Sequence, residues 1–157
     1  MNLLKRTISI VSAIAISASI VISAMAAGFT DVSEQSPYYD AISYTSEAGI
    51  SSGISDTEFA PDVQLTRGMY VTLLGKVYFH LKGDFGAPSN PVAETGFLDV
   101  SPDDYYGPSV CWAWKNEIVS VSEDDIFAPN DVLTKEQAIS ILYRYSNFSN
   151  DNLLSGE

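Results

Sequence analysis

A nine-residue pattern that occurs twice constrains the fold of this chain more than any other feature. Residues 59–67 read Phe-Ala-Pro-Asp-Val-Gln-Leu-Thr-Arg, and a close copy occupies residues 127–135, 68 residues later. Each copy has a proline in a turn, followed by a threonine and a cation, Thr66–Arg67 and Thr134–Lys135. A threonine hydroxyl caps a helix by accepting from a free backbone N–H, and Gln137 completes a capping box with Thr134. Each copy therefore predicts a turn that leads into a helix.

The same offset extends over most of the chain after residue 28. Phe29-Thr30-Asp31-Val32 matches Phe97-Leu98-Asp99-Val100, whereas the pairs Tyr38–Tyr39 and Tyr105–Tyr106 differ by one residue, which predicts a deletion in the preceding loop. A fixed period indicates two copies of one unit, and such units bury their apolar faces against each other. The apolar spacing predicts two helices per unit, so we expect an all-α fold of tandem helix-loop-helix repeats.

The sequence divides into five segments. Residues 1–27 have a basic start at Lys5 and Arg6, an apolar run and the motif Ala24-Met25-Ala26. These features predict a secretory signal peptide, and the short Ser-rich run argues against a retained membrane anchor. Residues 28–79 and 97–145 are the two repeats, and the Gly- and Pro-rich residues 80–96 connect them. Residues 146–157 form a polar tail, expected to fray or to be the remnant of a third repeat.

Charge and rare residues exclude several classes of function. The formal net charge is −12, and it becomes −14 without Lys5 and Arg6, so nucleic acid is not an expected partner. His80 is the only histidine, which argues against a histidine triad and a multi-histidine zinc site. Cys111 is the only cysteine and lies in an apolar helical pattern, so we expect it to be buried. The acidic loops 55–58 and 122–125 lack EF-hand spacing, so we expect no metal and no cofactor.

The ordered motifs resemble S-layer homology (SLH) repeats. Phe-x-Asp-Val, a tyrosine pair, Ala-Ile, Gly-Ile, Phe-x-Pro and Leu-Thr-Arg follow one another in the first repeat. The second repeat matches at Phe97, Asp99, Val100, Tyr105, Tyr106, Trp112, Ala113, Phe127, Pro129, Leu133 and Thr134. The resemblance implies export in bacteria and non-covalent binding to a secondary cell-wall polysaccharide, often pyruvylated. It also implies repeats arranged about a pseudo-threefold axis, with ligand grooves between them.

Arg67 is the ligand-binding residue with the strongest physical argument. It lies at a helix N-terminus, where free N–H groups and the helix dipole favour an anion, and its guanidinium offers two parallel donors to a carboxylate. The alternative is that Arg67 pairs with a nearby acid and only stabilises its repeat. Together with the resemblance, this argument predicts ligand binding by Asp31, Tyr38, Gly53, Thr66, Arg67, Asp99, Tyr105 and Lys135.

The second repeat departs from the first at the expected site. Lys135 replaces the arginine, and Glu117 and Val121 replace Gly49 and Gly53. A lysine lacks the planar fork of a guanidinium, and we expect the second loop to lack the backbone freedom of glycine. The second repeat is therefore expected to be mainly structural. Trp112 and Trp114 lie two residues apart, so they do not share one helix face as a sugar platform.

Three functions remain open from the sequence. The first is an exported SLH module that binds a cell-wall polysaccharide and attaches the protein to the bacterial cell surface. The second is an assembly protein whose repeats pair with SLH repeats of other chains. The third is an enzyme, ranked last because no domain remains to hold a cleft with paired carboxylates. We expect a secreted cell-wall protein that is not an enzyme and has no membrane contact after signal cleavage.

Overall fold

Four helices form the protein. The computed structural model describes residues 28–84, 96–120 and 124–153, with side chains of the last helix described to residue 150. The helices are α1 (Tyr39–Glu47), α2 (Arg67–Leu81), α3 (Gly107–Lys115) and α4 (Lys135–Leu153). Within these ranges the only β-type pairing is an isolated antiparallel bridge between Thr66 and Val132. The expected all-α fold with two alike helix pairs is confirmed, while the signal segment and most of the connector lie outside the described residues.

Each repeat is closed by an aspartate near its start. In the first repeat, the two carboxylate oxygens of Asp31 accept hydrogen bonds from the backbone N–H groups of Phe59 (2.9 Å) and Ala60 (2.7 Å). The ring of Phe29 packs on that of Phe59, with centroids 5.4 Å apart. The beginning of the repeat therefore holds the turn that precedes its second helix.

The second repeat is closed in the same way. Asp99 accepts from the N–H groups of Phe127 (2.8 Å) and Ala128 (2.7 Å), and the rings of Phe97 and Phe127 lie 5.2 Å apart. Ala128 has a positive φ of 54°, as its counterpart Ala60 does at 61°. Non-glycine residues rarely adopt this left-handed conformation, so its recurrence shows that the aspartate clasp fixes the same turn twice.

The deletion expected before the second tyrosine pair is absent. A turn with Ser36 N–H bonded to the Ser33 carbonyl (2.9 Å) recurs 68 residues later between Asp104 and Ser101 (3.1 Å). Helices α1 and α3 then begin 68 residues apart. Tyr38 therefore corresponds to the buried Tyr106 rather than to Tyr105. The hydrogen-bonded turns set the register here, and the resemblance between tyrosine pairs misled the alignment.

The loop after α3 also differs from expectation. Gly49 has a φ of 69°, and its counterpart Glu117 adopts the same left-handed conformation at 59°. The expectation that glutamate would change this backbone is therefore wrong. The N–H of Glu117 bonds to the Trp114 carbonyl (3.0 Å), as that of Gly49 does to Ser46 (2.9 Å), so hydrogen bonds that end the helix impose the conformation.

The core lies where the two repeats meet. Helix α2 of the first repeat packs on α3 and α4 of the second, whereas α1 packs on none of the other described helices. Val71 of α2 and Val110 of α3 are fully buried, as is Ile118 in the following loop. Gly75 allows the close approach, because a Cβ added there would lie 3.2 Å from Ser109 Oγ. The expectation that the repeats pack on each other is confirmed.

Helix α4 continues past the expected end of the second repeat at residue 145. Tyr145 is buried, and the ring of Phe148 lies 5.0 Å from that of Tyr78 and 5.7 Å from that of Trp112. The tail is therefore helical to Leu153 instead of frayed from residue 146, because its aromatic residues extend the core. Cys111 is buried as expected.

Candidate ligand site between the repeats

A cavity of about 430 Å³ lies at the junction of the two repeats. Arg67 enters it from the first repeat, and the second repeat supplies the other lining residues. These are Val119, Ser120, Ile126, Phe127, Glu136, Gln137, Ser140, Ile141 and Arg144. The cavity therefore combines an apolar base with charged and hydroxyl-bearing side chains, a composition suited to a polar ligand of a few rings.

Arg67 is held in this cavity by its own helix and by the other repeat. Thr66 caps α2 by accepting from the N–H of Met69 (3.3 Å), and the N–H of Arg67 donates to the Asp131 carbonyl (3.0 Å). The Arg67 guanidinium donates from Nη1 to the Phe127 carbonyl, and its Cζ lies 5.8 Å from the Phe127 ring centroid. A guanidinium has five N–H donors, so this orientation leaves donors for a ligand.

The charges that line the cavity have a positive sum. Arg67 and Arg144 contribute two positive charges and Glu136 contributes one negative charge, in a chain of net charge −12. Nη1 of Arg144 donates to Ser120 Oγ (3.4 Å). The N–H of Glu136 and the Thr134 hydroxyl hydrogen-bond the Glu136 carboxylate and lower its pKa, so it is ionised at neutral pH. The junction is thus a local cationic site on an acidic protein.

Helix α4 presents one face to the cavity. Thr134 and Gln137 form the expected capping box, in which Gln137 Oε1 accepts from the Thr134 N–H (3.1 Å) and Thr134 Oγ1 accepts from the Gln137 N–H (3.3 Å). Gln137, Ser140, Ile141 and Arg144 then follow at intervals of three or four residues, the spacing of one helix face. The cap therefore fixes the start of the helix face that carries Arg144.

The structure gives Asp31 and Asp99 a structural position. Both oxygens of each carboxylate bind the backbone of the next turn, as described above. The N–H groups of Phe59 and Ala60 favour the ionised carboxylate and lower the pKa of Asp31. Neither aspartate lines the cavity, although Asp99 holds the backbone of Phe127, which does.

Two tyrosines expected at the site lie outside it. Tyr38 is 67% exposed at the start of α1, and Tyr105 is 61% exposed with its ring 5.0 Å from that of Tyr106. Neither lines the cavity. Their exposed rings remain candidates for sugar contact elsewhere on the surface.

Gly53 and Lys135 also lie away from the cavity. A Cβ at Gly53 would lie 2.8 Å from Cε1 of Phe29, and φ there is +66°, so this glycine is required for local packing. Lys135 is the exposed first residue of α4, and it does not line the cavity. Of the eight expected site residues, Arg67 is the one that the structure brings to the cavity, and Thr66 supports it as the N-cap of α2.

The sequence interpretation missed Arg144, Gln137 and Ser120 as site residues. Arg144 was treated as the end of the second repeat, although it lies seven residues after Gln137 and hence on the same helix face. That spacing was a usable signal once α4 was known to continue. Ser120 carries no such signal, because only tertiary packing brings it beside Arg144.

The described part of the chain contains no group of three His, Cys, Asp or Glu side chains arranged to hold a metal ion. None of its helices has both the length and the apolar character needed to span a bilayer.

Comparison with known proteins identifies the family. The S-layer homology domain matches residues 28–68 and 96–139, which together make up more than half of the chain. The chain belongs to the S-layer homology domain family. The matched segments cover the two repeats described above, with Arg67 close to the end of the first.

Two relatives are large surface proteins. A "Cell surface protein" of Thermoanaerobacter kivui is 28% identical over 94% of this chain, which covers 19% of that protein. A "Surface-layer 125 kDa protein" of Lysinibacillus sphaericus is 48% identical over 36% of this chain, which covers 5% of that protein. The chain thus spans a small part of either relative. No solved structure matches significantly.

The family and its relatives place this SLH protein at the bacterial cell surface. Their names refer to surface layers and the cell surface, not to a catalytic activity. The expected family and location are therefore confirmed.

Proposed function

We propose that this SLH protein attaches to the cell wall by binding a carboxylate-bearing polysaccharide in the cavity between its repeats. The observation that carries the proposal is the positive cavity at the junction, where Arg67 of the first repeat and Arg144 of the second line the same space. A ligand seated there contacts both repeats at once. The resemblance implies a pyruvylated polymer, whose ketal carries a carboxylate of the kind that a guanidinium binds in a fork.

The lining residues divide the work of recognition by their chemistry. Arg67 and Arg144 bind the carboxylate, because charge-assisted hydrogen bonds are the strongest that the cavity can offer. Glu136 and Gln137 accept or donate hydrogen bonds to sugar hydroxyls. Phe127 and Ile126 form apolar surface for the carbon face of a ring. The negative charge of Glu136 also disfavours a ligand with several acidic groups, which favours one carboxylate per bound segment.

Co-sedimentation with purified cell walls tests the proposal. We expect Arg67→Ala and Arg144→Ala each to weaken binding about tenfold or more, because each removes a charge-assisted hydrogen bond. Lys135→Ala should have a smaller effect, since Lys135 lies outside the cavity. Lys115→Ala is the matched control, because it removes one cation from an exposed position at the end of α3.

Two further measurements separate the causes. Mild acid cleaves ketals, so walls treated in this way should lose Arg67-dependent binding if pyruvate supplies the carboxylate. Arg67→Lys keeps the charge without the fork and should bind between the wild type and Arg67→Ala. Thermal melts establish that the variants are folded. Wild-type affinity in folded Arg67→Ala and Arg144→Ala variants would refute binding in this cavity.

A further inference from the structure

The contact between the repeats uses surfaces that recur elsewhere on the same chain. Within the chain, α2 receives α3 through Val71 and Leu74, which are buried, and through Gly75, where the backbone approaches Ser109. Helix α4 is the counterpart of α2, and α1 is the counterpart of α3. Each surface of the junction therefore has a second copy in the chain, 68 residues away.

On α4 these counterpart positions carry exposed apolar side chains. Ile139 replaces Val71 and is 66% exposed, Leu142 replaces Leu74 and is 47% exposed, and Tyr143 replaces Gly75 and is 66% exposed. Their exposure is not explained by the fold of the described residues. A patch of this kind on a helix face marks an interaction surface.

On α1 the counterpart positions are also apolar and exposed. Tyr38 corresponds to the buried Tyr106, and Tyr44, 62% exposed, corresponds to Trp112, which packs on the core. Helix α1 packs on none of the other helices that the structure describes. The face by which α3 binds α2 is thus repeated on α1 without an occupant in this part of the chain.

Backbone groups follow the same pattern. The N–H groups of Arg67 and Gly68 donate to the carbonyls of Asp131 (3.0 Å) and Pro129 (2.8 Å) in the turn of the other repeat. The counterpart N–H groups, those of Lys135 and Glu136, have no backbone acceptor among the described residues. The counterpart turn is residues 61–63, which is exposed.

Charge distinguishes the two surfaces. Residues 28–66, which include α1 and the turn, contain seven Asp and Glu and no Lys or Arg. The α4 surface begins with Lys135, in the place where Arg67 binds the Phe127 carbonyl. The counterpart acceptor is the Phe59 carbonyl, two residues before the acidic turn. A cation on one surface therefore faces an acidic segment on the other.

We infer that this chain self-associates head to tail, with α1 and the turn 61–63 of one copy seated on α4 of a second copy. The contact repeats and continues the α2–α3 junction that is already present within the chain. Such an interface is heterologous, so it generates closed rings or open chains of copies according to the rotation between them. Tyr143 stands where Gly75 allows close approach, so α1 sits farther from α4 than α3 does from α2, and this association is weaker than the internal junction.

Light scattering and sedimentation velocity of the secreted chain over a range of concentrations test this inference. We expect the mean mass to rise with concentration, and to fall with salt because a charge pair contributes. Ile139→Asp on α4 and Tyr44→Asp on α1 should each raise the midpoint of association about tenfold or more, since each places a charge in an apolar contact. Leu98→Asp is the matched control, because Leu98 is 81% exposed outside both surfaces.

A mixing experiment distinguishes head-to-tail contact from other modes. The Ile139→Asp variant keeps an intact α1, and the Tyr44→Asp variant keeps an intact α4. Each alone should be monomeric, and their mixture should form dimers that grow no further, because one sound junction is left per pair. A wild-type chain that keeps the mass of one copy at about 1 mM, or a mixture that remains monomeric, would overturn the inference. Equal effects of Ile139→Asp and Leu98→Asp would overturn it as well.

Discussion

Replacement of Asp99 by asparagine tests how the second repeat holds its turn. The carboxylate accepts two hydrogen bonds, from the N–H groups of Phe127 (2.8 Å) and Ala128 (2.7 Å). An asparagine has a single oxygen, so its amide NH₂ faces the second N–H donor. Loss of one hydrogen bond to a charged group costs about 1.5–3 kcal/mol, and the turn stays left-handed at Ala128 only while it is held. We expect the free energy of unfolding to fall by about 2–3 kcal/mol.

Urea titration and thermal melts measure this change. A chain of this size loses roughly 3–5 °C in Tm per kcal/mol, so Asp99→Asn should melt roughly 10 °C lower. Asp103→Asn is the matched control in the same loop, because it removes the same charge from an exposed position and should cost less than about 0.5 kcal/mol. A Tm for Asp99→Asn equal to that of the control would refute the clasp. Reduced wall binding at an unchanged Tm would instead support the ligand role expected for Asp99 from the sequence.

Three further changes have defined outcomes. Because hydrogen bonds lower the pKa of Asp31, its contribution to stability is present above the unfolded-state pKa near 4 and is lost as pH falls through the lower folded-state value; Asp31→Asn should therefore flatten the decline of Tm in acid. Glu117→Gly should raise the free energy of unfolding by about 1 kcal/mol in urea titrations, since φ is +59°, whereas Gly49→Ala should lower it by a similar amount. Phe148→Ala should lower it by about 2–3 kcal/mol, because its ring packs on Tyr78 and Trp112; an effect as small as that of the exposed Asn147→Ala would contradict the packing of this segment.

The sequence predicted the features that depend on neighbouring residues. Thr66 and Thr134 cap their helices, and Gln137 completes the second cap, because these contacts lie within one helical turn. The two aspartates were found as repeated positions, but their role was not. Asp31 binds residues 28 and 29 positions away, and a pattern of spacing does not reveal which polar groups tertiary packing brings together.

The cavity was the hardest feature to predict for the same reason. Arg67 was found through its motif and its place at a helix start. Arg144 and Ser120 reach it through the packing of α2 against α4 and of the loop after α3, which no single repeat contains. Sequence periodicity describes the unit, whereas the candidate ligand site belongs to the junction between units.

This distinction also changes how Arg67 and Lys135 compare. From the sequence, the difference between them was one of side-chain chemistry, a planar fork against a point charge. In the structure, they occupy the same helical position, but the second repeat lies against Arg67 and closes a cavity around it, whereas Lys135 is exposed. The residue type alone therefore does not make the proposed site. A second cavity of this kind requires a unit placed against Lys135, which is the arrangement that head-to-tail association would supply.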